Sequence, residues 1–391
     1  MHTSRSIPSA DNGPRVAILG TRGIPARYGG FERFAEDLSV RLVEAGFDVT
    51  VLCPGEPGPA PTRYRGVALE YVKSWGNGSV ETLRFDLACL WRARKGFDVV
   101  YMLGYGSSPL CFIPRLWGAD VWINMDGIEW RRSKWNRIAR LWLRFTEAIA
   151  CRVASRLVFD NQAVADDVLG RNNADLPSSV IAYGAPLSEA EPERDILEQH
   201  ALRRGEYYLA VCRFEPENQV REIVRAYLES DCTTPLIMVT NAVDTQYSRE
   251  TLALADERVR FIGSVYDRSD LFSLRKHCRA YLHGHRVGGT NPSLLESMAC
   301  GNLVISHDNP FNREVLGSCG LYFQCPGDLA HAIQDVERME AGARIRKGTQ
   351  ARDRVGELYT WEKVVQSYVK LLEGDPQPEV FAATERGALV G

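Results

Sequence analysis

Short apolar runs alternate with amphipathic segments along most of this chain. The run at 15–19 (RVAIL) predicts a buried strand, and a glycine-rich turn follows it as far as Gly30. From 31 to 46, apolar residues recur at helical spacing, which predicts a helix with one buried face. Further strands are predicted by the apolar runs at 47–53, 98–103 and 120–124. This strand–helix–strand alternation is typical of parallel sheets covered by helices on both faces.

The same pattern restarts after a break rich in proline and glutamate at 185–194. The run at 207–212 (YYLAVC) predicts the first strand of a second domain, and later strands are predicted at 235–240, 259–262, 280–283 and 303–306. We therefore predict an α/β protein with two doubly wound, Rossmann-like domains that face each other across a cleft. The expected parts are a flexible tail (1–14), the two domains (15–187 and 195–357), a closing helix that packs back toward the first domain (358–373) and a mobile tail (375–391).

Composition agrees with this architecture and excludes several classes of protein. The 391 residues carry 47 Lys+Arg and 50 Asp+Glu, a net charge of −3, so bulk charge does not favour polyanion binding. An apolar content of 45% argues against disorder. The ten cysteines show no zinc or disulfide spacing, and no apolar stretch is long enough to span a bilayer. The start of the chain lacks an apolar signal segment, so we expect a cytoplasmic protein.

The turn after the first strand (GTRGIPARYGGFE, 20–32) has features of an anion-binding loop. Glycine lets the backbone approach a ligand closely, and free amides at a helix start attract phosphate. Arg22 and Arg27 add positive charge. The alternative is a surface loop that needs glycine for its turns. The dinucleotide fingerprint, an acid after the second strand and a Walker A sequence are all missing, which argues against a dehydrogenase or a P-loop enzyme.

Two segments of the second half together describe a nucleoside-diphosphate site. Arg213 directly follows a predicted strand and offers a fixed cation suited to a diphosphate. The turn HRVGGTN leads into a helix near Pro292, and Glu296 lies one turn further, where a carboxylate can accept both hydroxyls of a ribose. His285 could face the phosphates or serve as a structural imidazole. The alternative for the whole set is a structural salt bridge and an ordinary capped helix.

These segments resemble the retaining, GT-B fold glycosyltransferases of family 4, and most closely their rhamnosyltransferase-like branch. The resemblance rests on GTRGIPARYGGFE, MDGIEWRRSKW, RFEPEN and GGTNPSLLE, and it covers most of the chain. It implies a metal-independent transfer without a cofactor, from a nucleoside-diphosphate sugar to a lipid-linked saccharide in polysaccharide or cell-wall synthesis. The best candidate donor is dTDP-rhamnose. The resemblance also implies front-face attack, with the leaving phosphate taking the acceptor proton.

The family's donor-binding residues can be carried over by position. The resemblance implies that Arg213 binds the diphosphate and that Glu296, the second acid of an E-x7-E pair, holds the ribose. The first domain would be the acceptor domain and the second the donor domain. The remaining residues implied in donor binding are the amides of Thr290 and Asn291, Gly29 and Gly30 of the opposite domain, Val265 and Tyr266 near the base, and Asn218.

The sequence departs from the family pattern at two of these positions. Asn218 replaces a lysine that the family usually has five residues after the arginine, and Gly288 replaces the first acid of the E-x7-E pair. We interpret the changes as a different sugar, such as a deoxysugar with fewer hydroxyls. Glucose, N-acetylglucosamine, mannose and fucose are alternatives. A nucleotide-sugar epimerase or hydrolase, or a catalytically inactive membrane-associated scaffold on the same fold, also remains open.

The segment after the strand at 120–124 carries a candidate acid or base. Asp126 falls at the carboxyl end of that strand, where a carboxylate could orient the acceptor hydroxyl or take its proton. Glu129 is a weaker candidate for the same role. The alternative for Asp126 is the cap of the following helix.

The stretch at 130–145 (WRRSKWNRIARLWLRF) contains six basic residues and no acid. Helical spacing would place its apolar residues, Trp135, Ile138, Ala139, Trp142 and Phe145, on one face. We expect a patch that contacts anionic lipid on the inner face of the plasma membrane, formed by Trp130, Arg131, Arg132, Lys134, Arg137, Arg140 and Arg144. The alternative is a core-packed helix with a solvated basic face. A nucleic-acid partner is not expected.

Overall fold

A computed structural model of the chain describes residues 13–26, 29–56, 61–74, 76, 78–189 and 195–375. The chain divides into two compact units. Unit 1 contains the residues up to Trp130, then Trp135–Ala182 and the residues from Glu362 onward; unit 2 contains Arg131–Lys134 and Tyr183–Trp361. Nearly all of the two predicted tails, and Arg27 of the glycine-rich turn, lie outside the described residues.

Unit 1 is built on an eight-stranded sheet. Its strands are β1 (Val16–Leu19), β2 (Val49–Pro54), β3 (Arg63–Tyr64), β4 (Val67–Val72), β5 (Val99–Leu103), β6 (Asp120–Asn124), β7 (Arg156–Phe159) and β8 (Ser178–Val180). They lie in the order β3-β4-β2-β1-β5-β6-β7-β8. All neighbours are parallel except β3 and β4. The antiparallel β3–β4 pair was not expected, because β3 is only two residues long and leaves no hydrophobic pattern.

The first five helices of the chain belong to unit 1. They are α1 (Gly30–Glu44), α2 (Gly78–Arg92), α3 (Phe112–Leu116), α4 (Arg137–Val153) and α5 (Gln162–Asn172). The buried side chains of α1 include Phe34, Leu38 and Leu42, so the predicted apolar face of this helix is confirmed. Apolar burial of this kind is the main force that holds such a helix against its sheet.

Unit 2 is built on a six-stranded, fully parallel sheet. Its strands are β9 (Tyr208–Val211), β10 (Leu236–Val239), β11 (Val259–Gly263), β12 (Ala280–His283), β13 (Val304–His307) and β14 (Leu321–Phe323). They lie in the order β11-β10-β9-β12-β13-β14. A buried apolar core packs against the sheet, and its members include Phe214, Val224 and Ile333.

The helices of unit 2 follow the same alternation along the chain. They are α6 (Ile196–Gln199), α7 (Val220–Glu229), α8 (Gln246–Leu254), α9 (Arg268–Lys276), α10 (Pro292–Ala299), α11 (Pro310–Leu316), α12 (Pro326–Arg338) and α13 (Ala341–Leu358). The last helix, α14 (Trp361–Leu372), belongs to unit 1 from Glu362 onward. Within unit 1 the hydroxyl of Tyr368 lies 2.8 Å from that of Tyr101.

Each sheet reverses its winding direction beside its first strand. In unit 1 the chain runs outward from β1 to β2 and β4, and then continues on the other side with β5. In unit 2 it runs from β9 to β10 and β11, and then continues on the other side with β12. Open α/β sheets bind ligands at the carboxyl ends of the two strands that flank such a reversal. The loops after β9 and β12 therefore meet at the place where unit 2 is expected to bind a ligand.

Candidate functional site

The loop after β9 carries Arg213 at the carboxyl end of the sheet. The Arg213 side chain is exposed, and Glu215 lies 3.7 Å from it. The backbone amide of Phe214 donates to Oδ1 of Asn241 at 2.8 Å. Asn218 is buried, and its side-chain amide donates to the carbonyl of Arg213 at 2.9 Å. The side chain of Asn218 thus braces the loop that presents the Arg213 guanidinium.

The turn after β12 leads into α10, which begins at Pro292, where the sequence predicts a helix start. The side chain of Asn291 accepts a hydrogen bond from the amide of Ser293 at 3.0 Å, with Pro292 in the first turn. Thr290 is buried beside them. Gly288 has a φ of 147°, a backbone conformation that residues with a side chain rarely adopt.

Glu296 of α10 is held by a partner that the sequence did not single out. Oε2 of Glu296 lies 2.7 Å from the guanidinium of Arg275, a buried residue of α9. Burial lowers the pKa of Arg275, but the charge of Glu296 and smaller effects from Tyr281, Cys300 and Cys278 together outweigh it, so the pKa is raised. Arg275 also donates to Oγ of Ser293 at 3.2 Å. In the sequence, Arg275 looks like any other polar residue of an amphipathic helix, so no sequence signal identifies it as the partner of Glu296.

Two histidines lie beside this site as neutral rings. The rings of His283 and His285 stack with their centroids 4.4 Å apart. Burial lowers the pKa of His283 to about 3. Burial also lowers the pKa of His285, and His283, Arg132 and Arg213 make smaller contributions in the same direction. His285 therefore offers no positive charge to a phosphate, which leaves Arg213, in the loop after β9, as the predicted cation of this site.

The four residues Arg131–Lys134 contact the same region of unit 2. Oγ of Ser133 donates to Oε2 of Glu217 at 2.6 Å, and Glu217 is buried. Burial raises the pKa of Glu217, but the bond from Ser133 and the nearby charge of Arg132 are among the effects that outweigh it, so this pKa is lowered. Arg131, Arg132 and Lys134 of the predicted patch thus belong to unit 2, whereas Arg137, Arg140 and Arg144 lie on α4 of unit 1.

The second part of the predicted patch is the start of α4. The side chain of Asn136 caps this helix by accepting from the amide of Ala139 at 2.9 Å. Ile138, Trp142 and Phe145, expected on a common apolar face, are all exposed. The alternative of a core-packed helix is therefore wrong for this part of α4.

Asp126 lies between β6 and a turn at Gly127, and it is partly buried. The cap of α4 is Asn136, so Asp126 does not cap that helix. The loop that carries Asp126 is fixed at its far end. The amide of Glu129 donates to the hydroxyl of Tyr105 at 2.9 Å, and the indole of Trp130 donates to the buried Glu147 at 3.0 Å.

The glycine-rich turn of unit 1 is braced by acids of its own helix. The amide of Arg22 donates to Glu32 at 3.1 Å, and that of Ala26 donates to Glu36 at 2.6 Å. Gly29 has a φ of 99°, and a Cβ there would lie 2.1 Å from the Glu32 carboxylate. A Cβ at Gly30 would meet no atom within 4 Å. The first glycine is thus required by the turn, whereas the second leaves room above the backbone.

The remaining predicted positions lie at the edge of unit 2. Val265 and Tyr266 follow β11, the edge strand of the sheet, and Tyr266 is exposed. Among the residues described, no three His, Cys, Asp or Glu side chains are grouped so that they could hold a metal ion. None of the helices in the described ranges is long and apolar enough to cross a bilayer.

Comparison with family models assigns the two halves separately. Residues 14–186 match the model described as "Domain of unknown function (DUF1972)". Residues 206–338 match the model described as "Glycosyl transferases group 1". The second match covers β9 to α12, the part of the chain that carries Arg213 and Glu296. Unit 2 therefore contains a glycosyl transferase group 1 domain.

Known proteins similar to this chain span nearly its whole length. Phosphatidyl-myo-inositol mannosyltransferase of Mycolicibacterium smegmatis is 24% identical over 371 residues, which is 88% of this chain and 90% of the relative. Sucrose-phosphate synthase from Thermosynechococcus elongatus matches in structure with a TM-score of 0.77 at 18% identity, over 92% of this chain and 98% of that one. Anabaena HepE, in complex with UDP and glucose, matches with a TM-score of 0.73 at 16% identity, over 92% and 99%. The prediction of two Rossmann-like domains of the GT-B type is confirmed.

Proposed function

We propose that the chain is a retaining glycosyltransferase that moves a sugar from a nucleoside-diphosphate donor to a lipid-linked saccharide. One observation carries the proposal. Arg213, the start of α10 and Glu296 follow β9 and β12, the two strands that flank the reversal in unit 2. This unit also contains the glycosyl transferase group 1 domain. A cation, a helix start and an oriented carboxylate at one point suit a diphosphate and its ribose.

Each group has a defined role in this proposal. Arg213 and the amides at the start of α10 stabilise the negative charge that grows on the departing diphosphate. Arg275 fixes the carboxylate of Glu296, which accepts the ribose hydroxyls. Attack from the front face, with the leaving phosphate taking the acceptor proton, follows the family resemblance. Asp126 orients the acceptor hydroxyl.

The proposed donor is dTDP-rhamnose, with Val265 and Tyr266 beside the base. The support is the resemblance to the rhamnosyltransferase-like branch, together with Gly288 at the position of the family's first acid. A deoxysugar has fewer hydroxyls, so it has less need of that carboxylate. HepE has been solved with UDP and glucose, and the mycobacterial relative is named a mannosyltransferase. Donors carrying glucose, mannose, N-acetylglucosamine or fucose are therefore the comparison set.

The proposed acceptor is lipid-linked, and the protein works at the cytoplasmic face of an anionic membrane. The support is the exposed start of α4, where Arg137, Arg140 and Arg144 accompany exposed apolar residues. Such a helix suits the boundary between water and lipid headgroups. The mycobacterial relative is named for a phospholipid substrate.

The test is transfer of radiolabel from each nucleotide sugar into a membrane lipid extract. Wild type is compared with Glu296→Ala and Asp126→Ala. We expect label in the lipid fraction from dTDP-rhamnose, loss of transfer in the Glu296 variant and a slower transfer in the Asp126 variant. Full activity of Asp126→Ala would remove this residue from the proposal. Absence of transfer from every donor, together with no nucleotide-induced rise in melting temperature, would favour an inactive scaffold.

A further inference from the structure

Unit 1 exposes its large apolar side chains on three neighbouring helices. Leu116 is 70% exposed and Ile138 is 79% exposed. Eleven such side chains occur in the described part of unit 1, and all lie on α2, on or directly after α3, or on α4: Val80, Leu83, Leu87, Trp91, Phe112, Leu116, Trp117, Ile138, Leu141, Trp142 and Phe145. Exposed apolar residues concentrated in this way mark an interaction site.

The three helices lie on the same face of the sheet and touch one another. Helix α2 connects β4 to β5, α3 connects β5 to β6, and α4 connects β6 to β7, so all three connections run in the same direction across the sheet. Right-handed crossovers that run in the same direction place their helices on the same face. The rings of Trp91 and Trp117 are 6.1 Å apart, which joins α2 to the end of α3. Arg115 of α3 donates to the carbonyl of Val153, the last residue of α4, at 2.6 Å.

The charge of this face is strongly positive. Segments 78–95, 108–118 and 137–153 contain only three acids, of which Asp86 and Glu147 are buried and Glu81 pairs with Arg22 at 3.6 Å. The same segments expose eight basic side chains: Arg84, Arg92, Lys95, Arg115, Arg137, Arg140, Arg144 and Arg152. Apolar and aromatic residues among cations match the boundary of an anionic bilayer.

We propose that α2, α3 and α4 form one docking surface, the three-helix surface, for an anionic lipid bilayer. This extends the membrane contact from one helix to three. The occupant is lipid, because the exposed cations are complementary to acidic headgroups, even with Arg92 paired to Glu70, and the tryptophans suit the interface. Docking does not depend on the donor or on the sugar, so it can be measured apart from transfer.

The test is co-sedimentation of the full chain with vesicles. One set contains phosphatidylcholine and phosphatidylglycerol at a ratio of about 7:3, and the other contains phosphatidylcholine alone. We expect binding to the anionic vesicles only, weakened by salt. The double variant Leu83→Ser/Leu116→Ser, which leaves α4 intact, should bind at least tenfold more weakly. Arg137→Gln and Arg140→Gln should each cost about fivefold.

The matched control is Leu252→Ser/Ile345→Ser, which removes two exposed apolar side chains of unit 2. It should bind vesicles as wild type does. Equal binding by the Leu83/Leu116 variant would overturn the role of α2 and α3. A concentration-dependent dimer that this variant converts to a monomer would show that a second copy covers the face, and would also overturn the proposal. Nucleotide-induced melting shifts, measured in parallel, report on the proposed function alone.

A different observation concerns the charge missing at Asn218. Glu217, the preceding residue, accepts the hydrogen bond from Ser133 at 2.6 Å, and the amide of Arg286 donates to its carbonyl at 2.9 Å. This bond fixes the segment Arg131–Lys134 beside the loop of Arg213 and the turn after β12. Arg132, next to Ser133, is therefore brought to the region where the family has its lysine.

We infer that Arg132 is the second cation for the donor diphosphate, together with Arg213; this inference rests on the proposed function. Ser133, next to Arg132, bonds to Glu217 in the loop that carries Arg213, and the charges of Arg132 and Arg213 both contribute to the lowered pKa of His285 in the turn after β12. A guanidinium offers two parallel donors to phosphate oxygens, which a lysine does not.

The test is calorimetric binding of dTDP, UDP and the corresponding monophosphates. Arg132→Ala should weaken diphosphate binding at least tenfold and monophosphate binding much less, whereas Arg132→Lys should recover part of the difference. Arg131→Ala, its matched control, should bind both as wild type does. An unchanged ratio of diphosphate to monophosphate affinity in Arg132→Ala would overturn the inference, even if the variant is less stable. No binding of any nucleotide by wild type would instead overturn the proposed function.

Discussion

The turn after β1 in unit 1 and the turn after β12 in unit 2 each follow a strand that flanks the reversal in its sheet, yet their surroundings differ in charge. In unit 1, Glu32 and Glu36 accept the amides of the turn, so carboxylates stand where an anion would bind. In unit 2, the side-chain amides of Asn309 and Asn312 donate hydrogen bonds to the carbonyl of His285, at 2.9 and 3.0 Å. These bonds fix the turn.

This difference in bracing decides which turn suits a phosphate. In unit 2 the turn is held by side-chain amides, which carry no negative charge, and Arg213 lies beside it. In unit 1 the turn is held by carboxylates, which occupy the backbone amides that an anion would need and also repel an anion. Glycine-rich turns that both lie beside the reversal of a sheet can therefore differ in function. The charge of the side chains that support the turn is the more informative feature.

We expect the largest difference in transferase activity between variants of Arg213 and Arg22, the arginines beside these two turns. Arg213→Ala should reduce transferase activity about a hundredfold, because a fixed cation no longer stabilises the departing diphosphate. Arg22→Ala should reduce it much less, since Arg22 pairs with Glu81. Steady-state rates at varied donor concentration measure both. Equal losses would mean that the turn of unit 1 is the phosphate site.

Glu32, which supports the turn of unit 1, and Glu296, in the helix after the turn of unit 2, should differ in their contribution to stability. Glu296→Ala should lower the free energy of unfolding by about 3 kcal/mol, because it leaves the buried Arg275 without its ion-pair partner. Glu32→Ala, which removes one hydrogen bond to an exposed amide, should cost about 1 kcal/mol. Urea unfolding followed by tryptophan fluorescence measures both. Similar losses would show that the Arg275–Glu296 pair contributes little.

The two units should also respond to pH in opposite directions. The pKa of His283 in unit 2 is about 3 when folded and about 6.5 when unfolded, so its contribution to stability is lost as the pH falls below about 6.5. The expected slope is about 1.4 kcal/mol per pH unit, and His283→Gln should remove it. The pKa of Asp86 in unit 1 is raised by burial to about 6, so its contribution is lost as the pH rises through 6. Urea unfolding from pH 4.5 to 7.5, with Asp86→Asn beside His283→Gln, separates the two slopes.

The smallest effect should distinguish the adjacent glycines of unit 1. Gly29→Ala should destabilise the protein by about 1–2 kcal/mol, because its positive φ and the nearby Glu32 both oppose a Cβ. Gly30→Ala should leave stability unchanged, since its Cβ meets no atom within 4 Å. Thermal unfolding measures the first effect. A loss of donor binding in stable Gly30→Ala would support direct contact with the donor, whereas normal binding would remove Gly30 from the donor site.

The sequence was most informative where a pattern is local. The strand at 120–124 and the helices that begin at Pro292 and Trp361 lie where the spacing of apolar residues and the turn residues predict. The cap at Asn291 was also predictable, because it involves neighbouring residues. The β3–β4 pair was missed, since its first strand is too short to show a period.

The candidate site was only partly predictable for the same reason. Arg213 and Glu296 could be recognised from the motifs that surround them. Arg275 could not, because it lies 21 residues before its partner on a different helix. The stretch from Trp130 to Arg144 looked like one basic patch, since nothing local shows that its early residues contact Glu217.

Local sequence thus determined which residues form strands, helices and glycine-rich turns, because hydrophobic period, capping and backbone freedom act over a few residues. Tertiary structure alone decided which turn is supported by acids, which arginine is buried against Glu296 and which apolar residues stay exposed on α2, α3 and α4. The physical reason is that charge pairing and burial depend on contacts between residues far apart in the chain. The sequence specifies the type of each side chain, but the charges that surround it are determined only when the chain folds.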